Sequence, residues 1–404
     1  MWTFAGPKWQ SAYARQMIAR PAPVRPAASS APLVIAGLFN SANGIGEGAR
    51  RTYSALQAAG LNPIAVDLST PFAPVDLTTD IPCQPMPTDK EGTLILQLNG
   101  PETMSAMQHL GMERDRKWYT IGYWAWELPS FPNGWDQAFR YLSEIWTISD
   151  FSASALGQAD EAPPIQVFAH AVSAPADLKA DRDRFGWPKE RVTFLTMADS
   201  MSSLQRKNPF AAIRAFQRAF GNDPSRHLVV KTRNLDRKEN AKSDLLSAIG
   251  DAPNIQLMDE SLSDHDRWVL MASVDAIISL HRAEGFGLVM AEAMALGKPV
   301  ISTGWSGNMD FMTPESSALV SSTLIPCEDQ YGVYANVKSE WAEADVDDAA
   351  SKMKAIAEDP DYRRVLGRRA KQQIQQVASA TRIGAEMAKR LAEIPQAPEP
   401  SSLG

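Results

Sequence analysis

SLHRAEGFGLVMAEAMALGKPVISTGWSGNMDFM, residues 279–312, holds in one stretch the end of a strand, a glycine-rich turn, a helix and the next strand. The apolar run DAIISL (275–280) stops at Leu280 and gives way to Glu284-Gly285-Phe286-Gly287. A helical pattern over 285–296 then carries Glu292, and Gly297-Lys298-Pro299 turns the chain into PVISTG (299–304). Gly285 and Gly287 let a ligand approach the backbone at a helix N-terminus, where free N–H groups and the helix dipole favour a phosphate. On a helix rising 1.5 Å per residue, Glu284 and Glu292 stand about 12 Å apart along the axis. That separation suits two carboxylates hydrogen-bonding the two hydroxyl-bearing ends of a nucleotide sugar, with its diphosphate between them.

Outward from this stretch, the same alternation covers most of the chain. LVIAGLF (33–39), NPIAVDL (62–68), TLILQLN (93–99), WYTIGYW (118–124), EIWTIS (144–149) and IQVFAH (165–170) read as strands, with a helix over 50–60. After the polar stretch 173–190 come strands at 192–198, 227–232, 255–260, 275–280, 299–304 and 317–322, with helices at 209–220, 239–249, 263–272 and 285–296. Near-continuous Ile, Val and Leu runs alternating with helices require a parallel sheet covered on both faces. The expected fold is α/β: two Rossmann-like doubly wound domains, residues 31–172 and 191–376, joined by a linker at 173–190. Ligands in such folds bind beyond the carboxyl ends of the strands, so two facing halves create an inter-domain cleft. Amphipathic helices at 346–358, 360–376 and 381–394 follow, and 377–394 is expected to pack across both domains.

Two or three domains is also what 404 residues imply, and 44% hydrophobic residues suffice for large cores. The 40 Lys and Arg against 47 Asp and Glu leave a net charge of −7, which argues against nucleic acid as a partner and requires any anion to be held locally. Two cysteines, Cys83 and Cys327, make no disulfide framework and point to a reducing, cytoplasmic compartment. No run is apolar enough to span a bilayer. Residues 1–30 read as a mobile leader and 395–404 as a frayed tail.

Three further features bear on chemistry. NSANGIGEGAR (40–50) places Gly44, Gly46 and Ala49 in a G-x-G-x-x-G/A pattern with Asp67 closing the next strand, the form of a dinucleotide site. Gly44 lies five residues beyond Phe39, however, where that fingerprint needs its first glycine in the turn leaving the strand. The loop therefore reads best as one bringing backbone N–H groups to a phosphate or sugar. In SLQRKNPFAAIRAF (203–216), Arg206 and Lys207 stand just before a helix opened by Pro209, an anion clamp with one planar and one point charge. In WAWELPSFPNGW (124–135), Glu127 lies among Trp124, Trp126, Phe131 and Trp135. This is either aromatic core or a sugar-stacking platform with a carboxylate for hydroxyls.

With those residues in hand, the 279–312 segment resembles the E-x7-E signature of retaining glycosyltransferase family 4, of GT-B fold, whose pattern runs roughly E-G-F-G-L-x-x-x-E-A-M-A-x-G-x-P-V-I. The resemblance extends over about residues 31–375, strongly in the second half. It implies that Glu292 holds ribose hydroxyls, and that Glu284 with the amides of Gly285 and Phe286 contacts the donor sugar and phosphates. Arg206 and Lys207 take the place of the family's basic pair at the pyrophosphate. Ser306, Gly307 and Asn308 take that of a loop facing the donor, and His281 is a candidate contact beside them. Family members commonly use a first-domain histidine near the donor sugar; here that half has only His109 and His170, and Glu127 occupies the slot.

The expected partners are a nucleotide-sugar donor and a saccharide or lipid-linked acceptor, with peripheral membrane association through the Trp-rich stretch. No cofactor beyond the donor itself is expected and no metal, since Asp181-Arg182-Asp183 sits in a charged linker with an arginine between its acids. A sugar-nucleotide epimerase of the same fold, an NAD-dependent oxidoreductase using Gly44, Gly46 and Asp67, and a non-catalytic sugar-binding subunit are the alternatives.

Overall fold

Strands buried on both faces need helices on both faces, and the chain alternates accordingly. The computed structural model describes residues 31–88, 91–112, 117–329, 332–334 and 337–394; the expected leader 1–30 and tail 395–404 lie outside the described residues. The first half builds β1 (Leu33–Gly37), α1 (Gly44–Ala58), β2 (Ile64–Asp67), β3 (Glu91–Gln97), α2 (Gly100–His109), β4 (Lys117–Trp124), β5 (Glu144–Thr147), α3 (Asp150–Leu156) and β6 (Ile165–Val167). These strands form one parallel sheet in the order β2-β1-β3-β4-β5-β6.

The second half builds β7 (Val192–Asp199), α4 (Leu204–Lys207), α5 (Pro209–Phe220), β8 (Arg226–Arg233), α6 (Ala241–Ile249), β9 (Ile255–Asp259), α7 (Asp264–Ser273), β10 (Ala276–Ser279), α8 (Leu288–Ala295), β11 (Val300–Thr303) and β12 (Ala318–Val320). Its sheet is also parallel, in the order β12-β11-β10-β7-β8-β9. The strand order reverses between β1 and β3 in one sheet and between β7 and β10 in the other. Such switch points, at the carboxyl ends of the strands, are where doubly wound folds bind ligands.

Besides an earlier start of α1 and the helices α2, α3 and α4, which the sequence reading did not place, two features depart from it. The strand expected over 317–322 ends at Val320, and the chain enters an unforeseen antiparallel hairpin of β13 (Ser322–Pro326) and β14 (Glu340–Ala344). The helix expected from 285 begins at Leu288, because Gly287 adopts a left-handed φ of +104° just ahead of it.

α9 (Val346–Glu358), α10 (Pro360–Ala378) and α11 (Ala380–Glu393) close the chain. α11 packs on α1 of the first half, so closely that a Cβ on Gly384 would lie 2.0 Å from the Ala55 carbonyl oxygen. Arg390 of α11 pairs with the fully buried Glu144, which also accepts from Trp146 Nε1 and Tyr119 Oη. The two places where the chain passes between halves touch, since Val172 N donates to Ala378 O at 2.7 Å. Residues 181–191 lie against the second half, Asp181 N donating to Ser273 Oγ and Arg182 to Ser273 O and Asp275. One apolar cluster crosses the boundary, joining Ile35, Tyr123 and Trp146 to Phe286, Met290 and Met294. Among the described residues, no helix is long and apolar enough to cross a membrane. Cys83 and Cys327 are free thiols.

Candidate active site

The reversal between β7 and β10 brings together the loops that carry Arg206-Lys207 and Glu284. Ser203, at φ +64°, caps α4 by accepting the Arg206 N–H, and Asn208, at φ +49°, ends that turn and caps α5. Short polar side chains tolerate these left-handed positions and satisfy the helix amides. The kinked pair of helices presents both basic side chains to the β10–α8 loop. Lys207 Nζ lies 2.5 Å from Glu284 Oε1, and Arg206 Nη1 lies 3.2 Å from Glu284 Oε2 and donates to Ala283 O at 2.8 Å.

Arg206 and Glu284 are 3% and 6% exposed. Burial by itself would raise the Glu284 pKa, but Lys207 and Arg206 outweigh it and hold the carboxyl at about 2. Burial likewise opposes the Arg206 charge, and the carboxylates of Glu284 and Glu127 more than restore it. Two donors in this corner are unspent: Arg206 Nε and Asn208 Nδ2 are buried without a partner among the described residues. Buried N–H groups left unmade are costly, and an anionic ligand's oxygens would satisfy them.

The glycines of this loop are dictated by crowding. A Cβ on Gly285 would lie 2.9 Å from both Trp126 O and Ile148 Cδ1 of the first half, and one on Gly307 would lie 2.0 Å from Gly285 O. Phe286 is buried against His170 and Phe311. The 304–311 loop is stitched from within: Ser306 Oγ accepts the Glu284 N–H, Gly307 N donates to Glu284 O, and Asn308 Nδ2 donates to Thr303 O. His281 is fully buried, its Nε2 3.1 Å from Asn308 Oδ1 and 3.2 Å from Trp305 O, and burial lowers its pKa. His281, Ser306 and Asn308 thus buttress the loop on which Glu284 stands.

Glu292 belongs to a second cluster. It is 2% exposed, and Arg51 Nη2 of α1 lies 2.6 Å from its Oε1 while Arg267 of α7 pairs with its Oε2. Arg51 also donates to Ala171 O and to Glu47, whose carboxyl is held at about 2 by Arg51, Arg50 and Arg267 against the opposing effect of burial. The two glutamates eight positions apart therefore occupy separate ionic nests.

On the facing side, α1 starts at Gly44, ahead of the helix expected over 50–60, and a Cβ on Gly46 would come within 2.5 Å of the Ser41 and Leu38 carbonyl oxygens. Arg233 of β8 reaches across to Ala42 O in this loop and is anchored by Asp199. Asp67 accepts from Asn40 N and Nδ2 and from Ser69 Oγ, so it pins the loop after β1, which leaves little of it for the ribose contact of a dinucleotide reading.

Glu127 follows β4 and lies 3.8 Å from Arg206 Nη2, with Tyr334 Oη donating to its Oε2 at 3.0 Å. Trp124 and Trp126 are 0% and 8% exposed, packed with Trp135 and Phe139. Their rings are aromatic core and present no platform to a sugar. His109 packs edge-on to Phe72, far from the cluster. Among the described residues, no group of three or more His, Cys, Asp and Glu side chains is arranged to hold a metal ion.

Arg51, Arg267 and Tyr334 are absent from the sequence reading. Arg51 carried one signal, its position four residues after Glu47 on a helix opening at the glycine loop.

Residues 179–326 match the family model described as glycosyl transferases group 1. No curated protein matches the chain. Among solved structures it is similar to HepE of Anabaena, solved with UDP and glucose, at 13% identity over 90% of this chain and 100% of that one, with TM-score 0.64. It is similar also to sucrose-phosphate synthase of Thermosynechococcus elongatus, at 16% identity over 90% and 98%, with TM-score 0.63. TarM of S. aureus, solved with UDP and alpha-GlcNAc-glycerol among its ligands, aligns at 13% identity over 76% of this chain and 56% of that one, with TM-score 0.54. The two parallel six-stranded domains, meeting at their switch points, are those of the GT-B fold of glycosyltransferases.

Proposed function

We propose that the chain is a retaining glycosyltransferase that moves a hexose from a nucleotide diphosphate sugar to a hydroxyl of a saccharide or lipid-linked saccharide, in polysaccharide or glycoconjugate biosynthesis at the cytoplasmic face of a membrane. The observation that carries this reading is the buried Arg206–Lys207–Glu284 cluster at the β7/β10 switch point, with an unspent guanidinium N–H beside the start of α8. The group 1 match over that segment, and the UDP and sugar held by structures of the same fold, support it.

In this reading the donor's β-phosphate exchanges with Glu284 for the charges of Arg206 and Lys207, and Glu284 turns to the sugar hydroxyls. Glu292 takes the ribose, and the amides near Gly44 and Gly46 close on the phosphates from the first domain. The bond between the anomeric carbon and the phosphate oxygen breaks and its electron pair leaves with the nucleotide. The acceptor oxygen bonds to the same face of that carbon, and the acceptor's proton passes to the departing phosphate. Fixed cations that meet the leaving charge lower the barrier without reorganising, so neither a metal ion nor a protein nucleophile is required.

The test is to titrate the purified protein with UDP-, GDP- and ADP-sugars and follow nucleotide release. Binding of one donor is expected, with turnover lowered about 100-fold or more in Lys207→Ala and Arg206→Ala. Absence of binding to every donor, or full turnover in Glu292→Ala, overturns the proposal.

A further inference from the structure

The β13–β14 hairpin and the described residues between its strands interrupt the second domain between β12 and α9. They deliver Tyr334 to the corner where Glu127 of the first domain meets Arg206 of the second. Tyr334 is 5% exposed, with its ring edge-on to Trp126 at 6.0 Å and its hydroxyl donating to Glu127 Oε2 at 3.0 Å. Its backbone is tied as well: Tyr334 N donates to Asp329 Oδ2 at 3.1 Å, and Asp329 Oδ1 accepts from Ser203 Oγ at 2.9 Å. Ser203 is the cap of the helical turn carrying Arg206 and Lys207, so the arm is registered against the cationic pair.

Glu127 is the open member of this network. Its side chain is 26% exposed against 8% for Glu284 and 4% for Arg206. Its Oε1 stands 3.8 Å from Arg206 Nη2, too far for a hydrogen bond, and so keeps lone pairs for another donor. It approaches the cations from the first domain, opposite the loop that holds Glu284. A carboxylate oriented on one oxygen by a fixed phenol, and on the other facing Arg206 with no hydrogen bond among the described residues, is arranged to accept an incoming O–H.

Resting on the glycosyltransferase reading, we infer that Glu127 accepts the hydrogen bond of the attacking hydroxyl and that Tyr334 is the positioning residue that aims it. The hydroxyl donates toward Glu127 while held; as its oxygen bonds to the anomeric carbon, the proton passes to Glu127 and from it to the departing phosphate oxygen, so Glu127 ends as the carboxylate it began.

Tyr334→Phe keeps the ring on Trp126 and removes only the hydroxyl. Donor affinity is read by titration with the nucleotide sugar that wild type binds, and turnover by nucleotide release with water or methyl hexopyranosides as the attacking hydroxyl. Donor affinity within twofold of wild type is expected, with turnover about tenfold lower at an unchanged melting temperature. Glu127→Gln should be slower still, and the double variant no slower than Glu127→Gln alone. Wild-type turnover in Tyr334→Phe, a loss of donor affinity in step with turnover, or additive effects in the double variant would each overturn the inference. Failure of the underlying reading is seen separately, as no donor binding by wild type.

Discussion

Glu292 receives one guanidinium from each domain, and that pairing sets what a ligand must do to reach it. Both carboxylate oxygens are taken in the free protein, by Arg51 and Arg267. If ribose hydroxyls are to bond Glu292, the contact from Arg51 must be surrendered, and that cost is subtracted from donor affinity. Arg51→Gln is therefore expected to tighten donor binding, about threefold to tenfold, by calorimetric titration, whereas Glu292→Ala weakens it. A weaker donor in Arg51→Gln would mean instead that Arg51 itself touches the nucleotide.

His170 gives a second prediction at this scale. It is 6% exposed between Tyr123 and Phe286, and burial, helped by the Arg51 charge, lowers its pKa to about 3. The unfolded chain takes up a proton near pH 6.5 that the folded one refuses. Stability from this group is thus whole above that pH and is lost as pH falls toward 3. Between pH 7 and 5 the loss is about 2 kcal/mol, read as a falling urea midpoint, and His170→Phe should remove that share of the slope.

Sequence patterning located Arg206, Lys207 and Glu284 because each ends a strand-and-turn unit whose spacing is local. It could not pair Arg51 with Glu292 or Tyr334 with Glu127, whose partners stand 241 and 207 residues apart. The tryptophans were legible as a cluster and ambiguous in purpose, since core and sugar platform draw on the same side chains. Only packing separates them.

At the scale of elements, strand and helix order followed from periodicity almost throughout, while the β13–β14 hairpin did not. Its strand Ser322–Pro326 is mostly exposed on a two-stranded edge, so it carries no buried apolar run to betray it. α11 is the element with the sharpest demand on sequence. Gly384→Ala places a methyl group against the Ala55 carbonyl and is expected to cost about 2 kcal/mol, visible as a lower melting temperature. Arg390→Ala leaves Glu144 buried with only neutral donors and should cost about 3 kcal/mol, part of which Glu144→Gln restores.

Across the whole molecule the halves are held by contacts of different kinds at separate points of one boundary. Arg51 meets Glu292, Arg233 meets the Ala42 carbonyl, Asp310 accepts the Asp150 N–H at the start of α3, and Ser130 donates to Ser339. The proposed phosphate cluster lies inside that boundary, so donor binding and domain separation are coupled. Limited proteolysis near 173–180 should accelerate when donor is added if entry opens the boundary, and slow if the donor bridges it.

The close fit of α11 on α1 has a consequence for biogenesis. On the ribosome, residues 31–172 emerge complete in their strands, yet the helix that covers α1 and neutralises Glu144 is made more than two hundred residues later. At 5–20 residues per second that is a wait of about 10–40 s with apolar surface uncovered. The amino-terminal half is thus the first translated and the last finished. A fragment ending near 180 should be insoluble by itself, and a shortened carboxyl end should damage the half of the protein farthest from it in sequence.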